Sequence, residues 1–256
     1  MALSKIDPAG LDIGQIGGRR NLIINGAMQV AQRGTSNTGV TSASHRIADQ
    51  FFNSISSLGT WDLTQESDGP SGFGKSIKFD CTTADASPSA SDFIILQHRM
   101  EAQNVSLLDY GSSDAKTFTL SFYVKSNKTG SGSVEFMQSD NSDKHYTTSY
   151  TINSANTWER KTITVAGDTS GVINDDNGRG FEIVWWLNSG STFTSGSLSN
   201  AWQTQDNADR NASNLGIGGA TSDYFQITGV QLEVGDTATP FEHRSYGEEL
   251  ALCQRY

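Results

Sequence analysis

The strongest constraint in this sequence is a two-residue rhythm. Across 118–125, Phe118, Leu120, Phe122 and Val124 alternate with Thr119, Ser121, Tyr123 and Lys125. A strand with that rhythm buries one face and wets the other. Across 181–187 the same rule turns Phe181, Ile183, Trp185 and Leu187 inward and sends Glu182 and Trp186 to the opposite face. Further strands are expected near 21–24, 28–32, 50–54, 59–66, 75–82, 93–100, 133–138, 145–152, 158–165 and 223–234. In the last of these, Phe225 and Ile227 have one parity while Val230, Leu232 and Val234 have the other, so a bulge is expected at Gly229.

Short strands separated by turn-rich pieces such as 127–132 and 167–171 predict an all-β fold, an antiparallel β-sandwich of jelly-roll type. The one helix expected is short and C-terminal, over 247–255. Only 35% of residues are hydrophobic and 18% charged, with 33 Ser and 24 Thr filling the difference. The 12 Phe, 7 Tyr and 5 Trp sit inside β-branched runs, which separates this chain from a disordered one. Residues 1–20 read as an extended arm. There Leu3, Ile6, Leu11, Ile13 and Ile16 are scattered irregularly among Gly and Pro and fit neither helix nor strand. Such an arm frays or orders by docking on a partner, and its five aliphatics favour docking. Residues 21–256 form the sandwich.

Net charge narrows the function. At −10, with no basic cluster denser than Arg19-Arg20, the chain lacks the stripe needed to neutralise phosphates, so nucleic acid is not expected as a ligand. No apolar run approaches the roughly 20 residues that span a bilayer, and the first ten residues carry no apolar signal region. Two cysteines, Cys81 and Cys253, make no disulfide framework and fit synthesis in a reducing cytoplasm, each as a small apolar residue.

No catalytic constellation is visible: no nucleophile elbow, no His-Glu-x-x-His, no phosphate loop and no Cys-x-x-Cys. His45, His98, His145 and His243 lack a second ligand at metal-binding spacing, so no metal or cofactor is expected. The acidic turn around Asp175 and Asp176 has oxygen ligands suited to calcium but not the alternation of a calcium loop, and reads as a solvated turn. Sugar binding is the sharper expectation, because an exposed ring beside carboxylates or amides matches the C–H faces and hydroxyls of a glycan. The candidates are Trp186 with Glu182, Tyr123, and Trp202 in its polar loop; the alternative for these rings is burial beneath a loop or a neighbouring subunit. Trp61, Trp158 and Trp185 are expected in the core.

Several stretches carry a resemblance. They are NLIINGAMQVAQRG at 21–34, QHRMEAQNV at 97–105, AKTFTLSFYVK at 115–125, ANTWERK at 155–161 and, most specific, FQITGVQLEVGDTATPFEHRSYGEELALCQRY at 225–256. In this order they resemble a module of tail-fibre and related structural proteins of tailed bacteriophages and prophages. The Asp-Arg-Trp often found near its second strand is here Asp49-Gln50-Phe51, followed by Phe52, which keeps an aromatic for packing and loses the Arg. The closing motif leads into a further domain in longer relatives, and the function of such a domain is not expected of this sequence. The resemblance implies a carbohydrate-binding-module-like jelly roll in a virion protein made in the host cytoplasm. It points to a homotrimer and implies no particular ligand. With the residue-level readings above, the leading expectation is a non-enzymatic appendage attached to other virion proteins through residues 1–20 and contacting host surface polysaccharide. The alternative is a purely architectural decoration of capsid or tail, and a polysaccharide-degrading spike is a minor third.

Overall fold

The computed structural model describes residues 19–45, 47–140 and 144–255, so the five arm aliphatics Leu3, Ile6, Leu11, Ile13 and Ile16 lie outside the described residues. Ten strands follow in order: β1 (Ser36–His45), β2 (Phe51–Glu66), β3 (Ser76–Thr83), β4 (Phe93–Glu101), β5 (Phe118–Ser126), β6 (Gly130–Gln138), β7 (Lys144–Ile152), β8 (Glu159–Val165), β9 (Arg179–Ser189) and β10 (Tyr224–Val234). All pairings are antiparallel, in the order β7-β6-β9-β4-β2-β3-β10-β5-β8, with β1 pairing β2.

β2 belongs to both layers of the sandwich. Phe51–Ser56 pairs with β4, and Thr60–Glu66 pairs with β3. Between the two halves, Ser57 (φ 52°) and Gly59 (φ 65°) take left-handed backbone that turns the strand across. The first layer is therefore β7-β6-β9-β4-β2 and the second β2-β3-β10-β5-β8. From β3 to β10 the chain steps repeatedly between the layers, which is the jelly-roll topology expected. Between them lies an aromatic core, with Phe118 4.9 Å from Phe136 and Phe122 5.7 Å from Trp185 by ring centroids. Trp61, Trp185 and Cys81 are buried in it, as their parity requires. The bulge falls where expected, with the β10–β5 register shifting between Thr228 and Gln231 around Gly229 at φ 61°.

The described residues also include three short α-helices, α1 (Ala102–Val105), α2 (Ser191–Thr194) and α3 (Tyr246–Cys253), and two single 3-10 turns at Ser106–Leu108 and Asn207–Asp209. Helix α3 is the expected C-terminal helix, capped by the Ser245 hydroxyl, which accepts from the Glu248 amide at 3.3 Å. The segments 21–24 and 28–32 are loop instead of the expected strands. Asn25 and Met28 adopt left-handed backbone there, and the buried Asn25 amide bonds the Val30 and Asp49 carbonyls, both at 2.9 Å. These side-chain bonds replace a ladder. Leu22 still donates to the Leu232 carbonyl at 3.0 Å, and Arg244 clasps the carbonyls of Asn21 and Ile23. Trp158 departs from expectation too. It precedes β8, is only partly buried, and its indole N–H reaches Asp68 on the outside of the second layer.

Candidate functional site

The outer face of the first layer is built by the residues that alternate with the core. On β9 these are Glu182, Val184, Trp186 and Asn188; β4 adds Phe93, Ile95, Gln97 and Arg99, and β6 adds Ser133, Glu135 and Met137. Part of this face is covered by the polar segment 190–214, which returns across it after β9. The backbones of Gln203 and His145 exchange hydrogen bonds at 2.8 and 3.0 Å, and Ser199 bonds Thr147.

That cover corrects the expectation for Trp186. It does lie opposite Trp185, but only 1% of it is exposed. Its ring packs 5.0 Å from Phe193 of α2 and beneath the Arg210 guanidinium, 4.9 Å away. Its indole N–H donates to Glu135 at 3.0 Å. Glu135 also accepts from Arg210 (3.0 Å) and pairs with His145 Nδ1 (2.9 Å). Burial pushes the Glu135 carboxyl up, and the His145 hydrogen bond, with Arg210 and Trp186, outweighs it and leaves the pKa lowered. The covered part is thus a closed, hydrogen-bonded network and offers no open platform.

Trp202 is likewise held by the protein itself. Its indole donates to the Ala166 carbonyl at 2.8 Å, and its ring meets Tyr110, Tyr146 and Phe181 at 5.6, 5.7 and 6.3 Å. Tyr123 faces out of the second layer, as its parity requires, and is half-buried against Phe73 at 5.3 Å. The four sequence candidates therefore do not converge on one site.

Glu182 does sit at a site, at the uncovered end of the first layer. It is 1% exposed, so it acts through what it holds. Its carboxylate accepts from Arg179 Nη1 (2.8 Å), Arg99 Nε (3.3 Å), Ser139 Oγ (3.2 Å) and Gln97 Nε2 (3.5 Å). Arg99 also donates to Gln97 Oε1 at 3.1 Å, and its guanidinium stacks 4.7 Å over the part-exposed Phe52 ring. Arg99, Arg179, Phe52, Gln50, Glu101 and the turn 177–178 line an open cleft of about 240 Å³. The far wall is steadied by Glu101, which accepts from Arg255 at 2.8 Å and Gln103 at 2.6 Å.

The cleft therefore offers a flat ring edge, two guanidinium groups fixed by a shared buried carboxylate, and an amide. Those are groups that hydrogen-bond vicinal hydroxyls and stack on a sugar ring. The acidic turn beside it is organised by its own backbone, Asp176 accepting from the Gly178 amide at 2.8 Å. Among the described residues no cluster of three His, Cys, Asp or Glu side chains is arranged to hold a metal ion. Phe52, Arg99 and Arg179 were not distinguished in the sequence. The signal was the alternation itself, which sends Phe52 outward beside an inward Phe51 as it separates Trp186 from Trp185.

No protein-family model matches the chain, and no curated protein matches it by sequence. Among solved structures it is similar to the enzymatically active domain of tailspike protein 4 of bacteriophage CBA120, at 12% identity and a TM-score of 0.44, over 84% of this chain and 21% of that one. It is also similar to a family 4 carbohydrate-binding module (15% identity, TM-score 0.39, over 83% and 99% of the two chains). A third is the family 11 carbohydrate-binding module of Clostridium thermocellum in complex with a mixed-linked β-1,3-1,4 tetrasaccharide (10% identity, TM-score 0.40, over 82% and 100%).

Proposed function

We propose that this chain is a non-enzymatic, glycan-binding virion protein of a tailed phage, a tail-fibre-like or spike-like appendage that contacts host surface polysaccharide. The observation that carries the binding role is the cleft in which Glu182 fixes Arg99 and Arg179 beside the Phe52 ring. Binding is favoured over hydrolysis because the two glutamates at the cleft, Glu182 and Glu101, are ion-paired acceptors and Asp176 of the adjoining turn accepts from the Gly178 amide. A glycosidase instead keeps one carboxyl as a proton donor. The virion role rests on the sequence resemblance over 21–256, with residues 1–20 as the attachment to other virion proteins and a homotrimer as the assembly.

The test is adsorption of the purified protein to host cells, with a glycan array to identify the sugar. Phe52→Ala and Arg179→Lys, which keeps a cation beside the buried Glu182 but loses the guanidinium fork, should each weaken adsorption by about tenfold or more while leaving the unfolding midpoint close to wild type. Undiminished adsorption by both Phe52→Ala and Arg179→Lys would remove the cleft from the function. Normal particle assembly with no adsorption by the wild type would favour the architectural reading.

A further inference from the structure

The second layer carries a separate patch on its outer face. Gln226 of β10 pairs with Lys78 of β3 on one side and Lys125 of β5 on the other, so the three side chains form a row across three strands. One step along, Tyr224 pairs with Asp80. Beyond β5, at the head of β8, lies Trp158.

The two aromatic rings are part-exposed and pinned at their polar ends. The Trp158 indole donates to Asp68 Oδ1 at 3.4 Å, and the Tyr224 hydroxyl donates to Asn156 Oδ1 at 2.8 Å. Lys125 ties the pieces together, donating to Asp68 Oδ2 at 2.5 Å and lying 5.5 Å from the centre of the Trp158 ring. Gln226 donates to the same carboxylate at 3.3 Å. Lys78 lies 5.1 Å from the centre of the Tyr224 ring. The rings are thus pre-oriented, which lowers the ordering cost of a contact made on them.

The chemistry of the patch limits its occupant. Lys78 and Lys125 balance Asp68 and Asp80, so no net charge draws a polyanion or nucleic acid. The row carries no aliphatic side chain, and Lys and Asp are the residues depleted from the centres of protein interfaces. What remains is a pair of rings fringed by donors and acceptors of both kinds, which matches a ligand with apolar ring faces, many hydroxyls and no charge. We infer that Trp158 and Tyr224 form a second carbohydrate platform, for an uncharged oligosaccharide, on the layer opposite the Glu182 cleft. The inference stands on its own geometry and does not depend on the cleft being a glycan site. With both platforms occupied, one subunit would grip two stretches of polysaccharide, a gain in avidity without new contacts.

The experiment is a nitrogen-15 NMR titration of the full chain with cellotetraose, laminaritetraose and maltotetraose at millimolar concentration. The resolved indole N–H signals report each tryptophan separately. At least one sugar should shift the Trp158 indole saturably. Trp158→Ala and Tyr224→Ala should each weaken that binding by about tenfold, followed through the β10 amides, and Phe52→Ala should leave it unchanged. Tyr224→Ala keeps the test decisive where Trp158→Ala disturbs folding. Three results would overturn the inference: an unmoved Trp158 indole with all three sugars, shifts that persist in both variants, or signal broadening that grows with protein concentration and disappears in Trp158→Ala, which marks a protein contact instead.

Discussion

Trp185 and Trp186 point to opposite sides of one strand and both are enclosed, so truncating either opens a cavity. Trp185→Ala and Trp186→Ala are each expected to cost about 3–5 kcal/mol in urea unfolding. The second also leaves Glu135 without one donor and removes the ring beneath Arg210. The rhythm of residues 181–187 separated the two faces, but it could not show that Trp186 is covered. The covering segment 190–214 is mostly Ser, Thr, Asn, Asp and Gly, whose hydrogen bonds to β7 and β9 leave no periodic trace. A second residue-scale consequence concerns His98. Burial pulls its pKa down from 6.5 to about 4, only partly offset by its bond to the Ile24 carbonyl. A histidine lowered in this way is neutral when folded but takes up a proton in the unfolded chain below its ordinary value. Stability is therefore full above about pH 6.5 and falls as pH drops toward 4, by roughly 3 kcal/mol over the interval. His98→Gln should flatten that part of the stability–pH curve, measured by chemical denaturation at a series of pH values.

At the scale of elements, two glycines set how strands bend. At Gly59, where β2 changes layers, a Cβ would lie 2.4 Å from the Thr83 carbonyl oxygen. At Gly229, in the β10 bulge, it would lie 2.8 Å from the edge of the Phe73 ring. Both have left-handed backbone. A carbonyl within a paired strand yields less than a side chain, so Gly59→Ala is expected to cost about 2–3 kcal/mol and Gly229→Ala about 1–2. Denaturation midpoints should rank them in that order. The Gly229 bulge was legible because the parity of apolar residues changes there. The crossover within β2 looks in the sequence like two strands, 50–54 and 59–66, because the apolar pattern is interrupted where the backbone turns. β1 carries no such pattern: its ten residues, Ser36–His45, are almost all small or polar, and among the described residues it pairs with β2 alone. Conversely, Ile23 and Met28 look like strand residues because they are buried, but buried amides satisfy their backbone neighbours in place of a ladder.

At the scale of the whole molecule, the arm and the assembly are the expectations to test. Removing residues 2–18 should leave the thermal midpoint nearly unchanged, since Asn21 onward is held to β10 without them, and should abolish incorporation into particles. Normal incorporation would end that proposal. Light scattering at micromolar concentration should give three times the 27.6 kDa chain mass; a monomer would contradict a trimeric appendage.

The attachment of residues 21–26 to β10 has a mechanical consequence. The Asn21 side chain bonds the Val230 carbonyl (3.1 Å) and the Leu232 amide (3.1 Å), Leu22 donates to Leu232 (3.0 Å), and Val230 donates to Gly26 (2.9 Å). A pull on residue 19 directed along the chain loads these bonds together in shear, the direction in which a set of parallel bonds resists best. The tension passes into β10 in the second layer. The same segment also grips the first layer, where the His98 ring bonds the Ile24 carbonyl and the Asn25 amide bonds the Asp49 carbonyl, so a pull on the anchor is shared between the two layers.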